Sequence, residues 1–492
     1  MGSRRLSAEA NLRRALCTVG MPVLISAALL LPASVRAQIR FERTYGCTRP
    51  DRGSCVQRTA DGGYIISGTS EPGLPDVYLV KTDSCGDTLW TRRIHVADYD
   101  IGGTVQQTTD GGYIIAGYTY QYFGITRGFL LKTDADGDRQ WQRIFRVGGL
   151  DFCRSVQQTA DGGYIVAGNA APYNMEAWLI KTNASGDTLW TRTYGDTYAV
   201  EGYSVVQTGD GGYAVVGNTW SCGSYQVYLL RTDANGDVVW TRTYGGAGDD
   251  RGHMLRQTPD GGYIVVGRFS GDTNEGVYLI KTDSAGDTLW TRTFGGALAD
   301  RGNSVSLTAD SCYIVAGMTK SFGAGVADVY LLKVDANGDT LWTRTFGGSL
   351  YDEGASVQQT ADGGYIIAGS TMSYGAGDYD VYLIKTDSAG SSVAVAEPEI
   401  CQTRASAFSL YCEPNPFRTQ TVIRLLSAFD GSAECAVFSA SGRCVRTLAL
   451  NSELHAVWDG RDEVGAAAPS GTYFIRARIG NGVAVRSALL LD

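Results

Sequence analysis

One short sequence recurs along most of this chain. Asp-Gly-Gly-Tyr starts at Asp61, Asp110, Asp161, Asp210, Asp260 and Asp362, and a degenerate Asp-Ser-Cys-Tyr starts at Asp310. Successive copies are 49, 51, 49, 50, 50 and 52 residues apart. Two further markers keep the same period. One is Trp-Thr-Arg-Thr or a variant, at Trp90, Trp141, Trp190, Trp240, Trp290 and Trp342. The other is Lys-Thr-Asp or a variant, at Lys81, Lys132, Lys181, Arg231, Lys281, Lys333 and Lys385. A repeat of this length is one supersecondary unit, stacked on its neighbours to bury its apolar faces.

Each period holds four strand candidates. In the copy near residue 360 these are Ala355–Thr360 (strand a), Tyr365–Ala368 (b) and Val381–Lys385 (c), with Thr340–Thr345 of the preceding copy as an example of strand d. They are β-branched and aromatic runs bounded by Gly and Asp. Strands b and c are apolar at consecutive positions, so both faces of each sheet are expected to be covered. Four strands in about 50 residues match one blade of a β-propeller. The seventh Lys-Thr-Asp, at Lys385, lacks a following Trp strand. The missing strand lies at the other end, where Ile39-Arg40-Phe41-Glu42-Arg43-Thr44-Tyr45-Gly46 mimics it with Phe41 in the Trp place. The expected fold is therefore all-β: a seven-bladed β-propeller over 38–390, closed by the N-terminal strand, so that no sheet edge is left open.

The repeated residues have structural readings. Gly in Asp-x-x-Gly-Asp supplies the positive φ of a c–d turn, and its Asp bonds nearby N–H groups. Asp134-Ala135-Asp136-Gly137-Asp138 lacks the further ligands and distal Glu of a calcium loop, and no metal or cofactor is expected. Each Trp is expected to wedge between blades, burying about 200 Å² of ring, or about 5 kcal/mol gross. Arg43, Arg92, Arg143, Arg192, Arg242, Arg292 and Arg344 follow the Trp position by two. They are expected to pair with Asp51, Asp100, Asp151, Asp250, Asp300 and Asp352 in the next connection, where Val200 breaks the series.

Antiparallel order puts the uniform a–b and c–d turns on one face and the variable b–c and d–a connections on the other. The b–c loops differ in length and content and carry Tyr118, Tyr120, Tyr122, Phe123, Tyr173, Trp220, Tyr225, Phe269, Phe322, Tyr374 and Tyr379. Aromatics on non-repeating segments of a rigid scaffold are the candidate ligand-binding residues. His95 and His253, two of three His, are single-copy and read as belonging to d–a connections.

The ends of the chain carry different signals. Arg4, Arg5, Arg13 and Arg14, an apolar run over 16–33 and Val35-Arg36-Ala37 read as an export signal over 1–37. No stable membrane span is expected after processing. Ten of eleven Cys follow that segment, in a compartment that permits disulfides, and their spacing shows no zinc pattern. A net charge of −9 without a basic block argues against nucleic acid. A linker over 391–408 leads to short strands over 409–492 that read as a small β-sandwich.

Pro414-Asn415-Pro416-Phe417, Gly442-Arg443, Trp458-Asp459-Gly460-Arg461 and Ser470-Gly471-Thr472-Tyr473-Phe474 resemble the C-terminal sorting domain of type IX secretion cargo and the related immunoglobulin-like domain of flagellar hook-capping proteins. That resemblance implies an immunoglobulin-like sandwich, export through outer-membrane secretion machinery, and release or attachment at the cell surface. The repeats resemble those of bacterial secreted propellers, which brings no activity with it. The resulting expectation is a secreted or cell-surface, non-enzymatic binding or adhesion protein with a glycan or protein ligand. A polysaccharide-acting hydrolase or lyase and a structural surface-layer component are the alternatives. There is no Gly-x-Ser-x-Gly and no His-Glu-x-x-His.

Overall fold

The computed structural model describes residues 39–392 and 408–491, apart from short stretches at 72, 122–123, 172–173, 196–197, 222, 272–273, 416, 428–432, 440–443, 452–453 and 480–481. The export-signal segment and most of the 391–408 linker lie outside the described residues. The described chain is all-β, and none of its segments is a helix long and apolar enough to cross a membrane.

Over 41–386 the strands form seven four-stranded antiparallel sheets, a propeller-like arrangement. In six of them a, b, c and d are consecutive in sequence, as in Phe152–Gln158, Tyr164–Ala170, Glu176–Thr182 and Thr188–Tyr194. The seventh takes a, b and c from Asp352–Gln359, Tyr365–Thr371 and Asp380–Thr386, and d from Phe41–Tyr45. That strand pairs from Phe41↔Lys385 to Tyr45↔Val381.

Strands b and c are buried along almost their whole length because each sheet packs on two others. Seven apolar clusters each bridge two sheets. Six join consecutive sheets. The remaining one sets Phe41, Ile366, Val381 and Leu383 of the seventh sheet against Val56, Tyr64, Ile66 and Val80 of the first.

The outer strand clamps the next sheet. A Cβ on Gly137, which has φ +81° in the second sheet's c–d turn, would lie 2.7 Å from the Trp90 ring of the first. The same relation joins Gly186 to Trp141, Gly286 to Trp240, Gly390 to Trp342 and, from the N-terminal strand, Gly86 to Phe41. The turn therefore requires Gly twice, for its φ and for the ring on it. Each Trp also meets the Asp-Gly-Gly-Tyr tyrosine of that next sheet edge-on or tilted, as in Trp90–Tyr113 at 5.9 Å. These indoles are only half-buried, since strand d is the outermost strand. The expected burial of a whole ring is thus too large.

The arginines of strand d do not take the expected partners. Arg92, Arg143 and Arg242 reach Asp138, Asp187 and Asp287, at 3.0, 3.0 and 3.3 Å, in the next sheet's c–d turn. Asp51, Asp100, Asp151, Asp250, Asp300 and Asp352 are fully buried and accept backbone N–H groups of the preceding connection, for example Val96 to Asp100 at 2.7 Å. A buried carboxylate gains more from fixed, already desolvated amides than from a long exposed guanidinium.

A second pairing repeats in all seven sheets. The Lys-Thr-Asp cation reaches the first Asp of Asp-Gly-Gly-Tyr across strands b and c: Lys81–Asp61, Lys132–Asp110, Lys181–Asp161, Arg231–Asp210, Lys281–Asp260, Lys333–Asp310 and Lys385–Asp362. The cation is buried while the carboxylate is largely exposed, 5% against 59% for Lys181 and Asp161. Desolvation pushes the Asp161 pKa up, but hydrogen bonds from Lys181, Thr159 and the Gly163 N–H outweigh it and bring the pKa down to about 2.

Over 408–490 a three-stranded sheet (Phe408–Glu413, Thr421–Ser427, His455–Trp458) accompanies a four-stranded one (Cys444–Leu448, Ala433–Ser439, Gly471–Ile479, Gly482–Leu490). Trp458 is fully buried between Phe417 and Tyr473, at ring distances of 5.3 and 4.8 Å. Its indole N–H donates to the Arg461 carbonyl at 2.9 Å, and Tyr473 donates to that of Pro469 at 2.6 Å. Asp459 pairs with Arg446 at 2.6 Å. Gly460, at φ +70°, brings the chain against Leu490. Pro414 and Asn415 are exposed. Gly471 opens a strand. Pro416, Gly442 and Arg443 lie outside the described residues. The aromatic members of the motif thus make the core of this unit.

The asymmetric burial gives a test. Asp161→Ala leaves a buried ammonium with only the Thr182 carbonyl, and should destabilise by about 2 kcal/mol. Lys181→Met replaces the cation with an apolar chain and returns Asp161 to water, and should cost under about 1 kcal/mol. Urea unfolding of the two variants reads the order; the reverse order contradicts this account.

Candidate functional site

Every innermost strand breaks register once. The shifts fall between Gly53/Cys55, Gly102/Val105, Cys153/Ser155, Gly202/Ser204, Gly252/Met254, Gly302/Ser304 and Gly354/Ser356. Each is a β-bulge, and a bulge frees one residue from the ladder and re-aims it. The freed residues are Ser54, Gly103 with Thr104, Arg154, Tyr203, His253, Asn303 and Ala355. A small or polar residue flanks most of them at a repeated position. The bulge residue itself does not repeat.

These bulges surround a cavity of about 260 Å³ between the seven inner strands. Ser54, Thr104, Tyr203, His253, Asn303 and Ala355 line it, with Cys55, Ser204, Met254 and Ser356 beside them. Further along, Gln106 and Gln157 accept backbone N–H groups of the next sheet, from Gln158 and Gln207, both at 2.6 Å. Gln358 of the seventh sheet does the same for Arg58 of the first, at 3.0 Å. The glutamines stitch neighbouring sheets together, and the bulge residues are left to line the space.

The bulge residues join a layer of arginine and aromatic rings. The Arg154 guanidinium lies 4.6 Å from the Tyr203 centroid and 5.1 Å from that of Phe152. Arg251 lies 4.0 Å over Tyr225, and Arg52 lies 3.5 Å over Tyr379. Tyr118 meets Phe152 at 4.9 Å and Tyr120 at 5.4 Å. Two carboxylates are nearby, and both accept hydrogen bonds. Glu201 accepts from Tyr203 at 2.9 Å and Asn218 at 3.3 Å, and Glu353 accepts from Arg301 and Asn303, both at 2.7 Å.

His253 stands within this layer, its ring 6.2 Å from that of Tyr203. It belongs to strand a (Arg251–Gln257) and not to a d–a connection as its sequence position implied. Its Nδ1 is 2.8 Å from the Gly302 carbonyl, which can only accept, so Nδ1 carries the proton and Nε2 is left as an acceptor. Burial, helped by the charges of Arg301 and Arg268, pulls its pKa down to about 4 against the opposing carbonyl bond. It is neutral at pH 7. His95 does follow strand d, and its Nδ1 lies 2.9 Å from Asp76 and 3.5 Å from Asp100.

The expected aromatics divide into two groups. Phe269, Phe322 and Tyr374 each cover a repeat tyrosine of strand c, Tyr278, Tyr330 and Tyr382, at 5.8 to 5.9 Å. Tyr118, Tyr120, Tyr225 and Tyr379 belong to the arginine layer or touch it. Trp220 faces Tyr225 across strands b and c at 4.9 Å. Several of these residues lie on strand ends rather than in loops, because strands b and c run further than expected: Tyr113–Gln121, Tyr213–Ser221 and Ser224–Thr232. Tyr122, Phe123 and Tyr173 lie outside the described residues. Arg154, Tyr203, His253 and Asn303 were not among the expected ligand-binding residues. Their signal is one non-repeating residue between repeated neighbours.

No protein-family model matches this chain, and no curated protein matches it. Among solved structures, it is similar to PorZ of Porphyromonas gingivalis, described as an essential bacterial surface component of the type-IX secretion system. That match has 12% identity and a TM-score of 0.38, covering 88% of this chain and 69% of PorZ. The Pan2 WD40 domain of Neurospora crassa matches with 12% identity and a TM-score of 0.43, covering 71% of this chain and 97% of that one. The periplasmic gluconolactonase PpgL of Pseudomonas aeruginosa matches with 13% identity and a TM-score of 0.43, covering 69% and 97%. At these identities the roles named for those proteins do not transfer to this chain.

His253 makes stability depend on pH with a definite sign. Its folded pKa lies below the ordinary value, so between about 6.5 and about 4 the unfolded chain binds the proton more readily, and stability falls as pH falls. His253→Asn should flatten the unfolding free energy in that window, read by urea titration at pH 7, 6, 5 and 4.5. The Lys–Asp pairs act lower, between about 4 and about 2. An unchanged slope contradicts a neutral, buried His253.

Proposed function

We propose that this protein is a secreted or cell-surface, non-enzymatic binding protein. In this reading the seven sheets are the blades of a β-propeller whose ring the N-terminal strand closes. The C-terminal unit is an immunoglobulin-like sandwich that serves export. The ligand is taken at the variable face, around the axial cavity.

One observation carries the reading. The scaffold repeats its wedges, clamps and ion pairs, yet each inner strand bulges out one residue, or two in the second sheet, and their identity changes from sheet to sheet. A purely structural repeat needs no such variation. A rigid frame presenting unlike side chains around one opening is the form of a recognition site. The cavity lining among the described residues includes no Asp or Glu. That supports binding over hydrolysis by a carboxylate pair. The resemblance of the C-terminal motif, with Trp458 and Tyr473 at the core of two small sheets, supports an export role for that unit.

The test is a glycan and protein array probed with the chain lacking residues 1–37. Ligand capture should be lost in a Tyr203→Ala, Asn303→Ala double variant and retained in Asp138→Ala on the opposite face. Capture unaffected by changes around the cavity contradicts the site. Turnover of an arrayed glycan contradicts the non-enzymatic role.

A further inference from the structure

Several arginines of strand d meet carboxylates near the surface, as Arg92 meets Asp138, Arg143 meets Asp187 and Arg242 meets Asp287. Arg154 and Arg251 do not line the cavity themselves, as Arg256 does, but both charges act on Tyr203, which lines it, and among the described residues no carboxylate pairs with either. The Nε of each is buried without a hydrogen-bond partner. Aromatic rings hold both guanidiniums in place, Tyr203 and Phe152 for Arg154 and Tyr225 for Arg251. Stacking fixes the plane of a guanidinium and leaves its edge of N–H donors unused.

A chain of net charge −9 has acids to spare, and other half-buried arginines are given one, as Arg268 is given Glu275 and Arg301 is given Glu353. Leaving a half-buried guanidinium unpaired is unfavourable unless something else accepts its N–H groups. The two carboxylates nearby do not fill that role. Glu201 is engaged by Tyr203 and Asn218, and Glu353 by Arg301 and Asn303. The missing acceptor has the chemistry of an oxyanion, which matches the planar guanidinium fork.

The surroundings narrow the carrier. Ser54 and Ser204 offer hydroxyls in the cavity, and Asn303, whose Nδ2 donates to Glu353 and the Gly354 carbonyl, offers its amide oxygen. The free Nε2 of His253 offers an acceptor, and the Tyr203 and Phe152 rings offer stacking faces. About 260 Å³ is below the roughly 300–1,000 Å³ usual for a drug-sized ligand and suits a single sugar unit. Resting on the binding role argued above, we propose that Arg154 and Arg251 form an oxyanion site for an acidic saccharide, the sugar ring entering beside Tyr203.

Isothermal titration of the chain lacking residues 1–37 tests this with trigalacturonate, its fully methyl-esterified form and sodium acetate. Trigalacturonate should bind, with the ester weaker by roughly tenfold or more, as expected for losing charge-assisted hydrogen bonds. Arg154→Gln and Arg251→Gln should each weaken trigalacturonate binding by about the same factor. Arg242→Gln, on an outer strand, should not. Thermal melts confirm that each variant is folded. Equal binding of acid and ester, full binding by both cavity variants, or no binding of trigalacturonate overturns the proposal. Acetate binding as tightly as trigalacturonate overturns the saccharide assignment. Capture of a neutral ligand on the array, lost with Tyr203 and Asn303 while trigalacturonate is ignored, leaves the binding role standing and this proposal overturned.

Discussion

Glu42 and Tyr382 lie 340 positions apart and share a hydrogen bond in one sheet. They belong to the pairing of Phe41–Tyr45 with Asp380–Thr386, on which the remaining arrangement depends. Without it the seventh sheet would have three strands, with the buried strand Asp380–Thr386 left as its edge, and the first sheet would lose the ring over Gly86. The N-terminal strand acts in both directions. Its backbone completes the last sheet. Phe41 lies on the first sheet's turn, as each Trp lies on the turn of the sheet after its own. Tyr45 donates to the Gly86 carbonyl at 2.6 Å, just as Tyr194 donates to Gly236 and Tyr244 to Gly286. Sheet follows sheet with the same contacts, including the step from last to first.

Such uniform contacts separate scaffold from site. Trp wedges, Arg–Asp clamps, buried Lys–Asp pairs and glutamine stitches use repeated residues at repeated positions. They hold the inner strands in place whatever the bulge residue is. The bulges are consequently open to variation, and Arg154, Tyr203, His253 and Asn303 differ there without altering the frame. The low pKa of His253 and the unpaired Nε of Arg154 and Arg251 are local costs that the frame tolerates.

Much of the frame was legible in the sequence, because a fifty-residue period repeats each local signal seven times. Strand limits came out within a few residues, and Phe41 was recognisable as a stand-in for Trp. Contacts between sheets were harder to read. Asp51 lies eight residues after Arg43, whereas the true type of partner lies in the next sheet's turn, as Asp138 does for Arg92. Sequence proximity favoured the wrong acid. The Lys181–Asp161 pair was hidden because b–c segments of unequal length separate its two markers. The site residues were least legible of all. One variable residue inside a strand reads as noise until a bulge is seen to release it. Of the expected aromatics, Tyr118, Tyr225 and Tyr379 do meet the arginine layer, whereas Phe269, Phe322 and Tyr374 cover the strand c tyrosines.

Amide hydrogen exchange on the chain lacking residues 1–37 tests this pairing most directly. Residues 41–45 should be protected to the same degree as an outer strand within a continuous sheet, such as Thr188–Tyr194, and should lose that protection together with Asp380–Thr386 on global unfolding. Exchange of 41–45 as fast as that of an unstructured peptide, with 380–386 still protected, would show that the N-terminal strand does not hold the last sheet to the first.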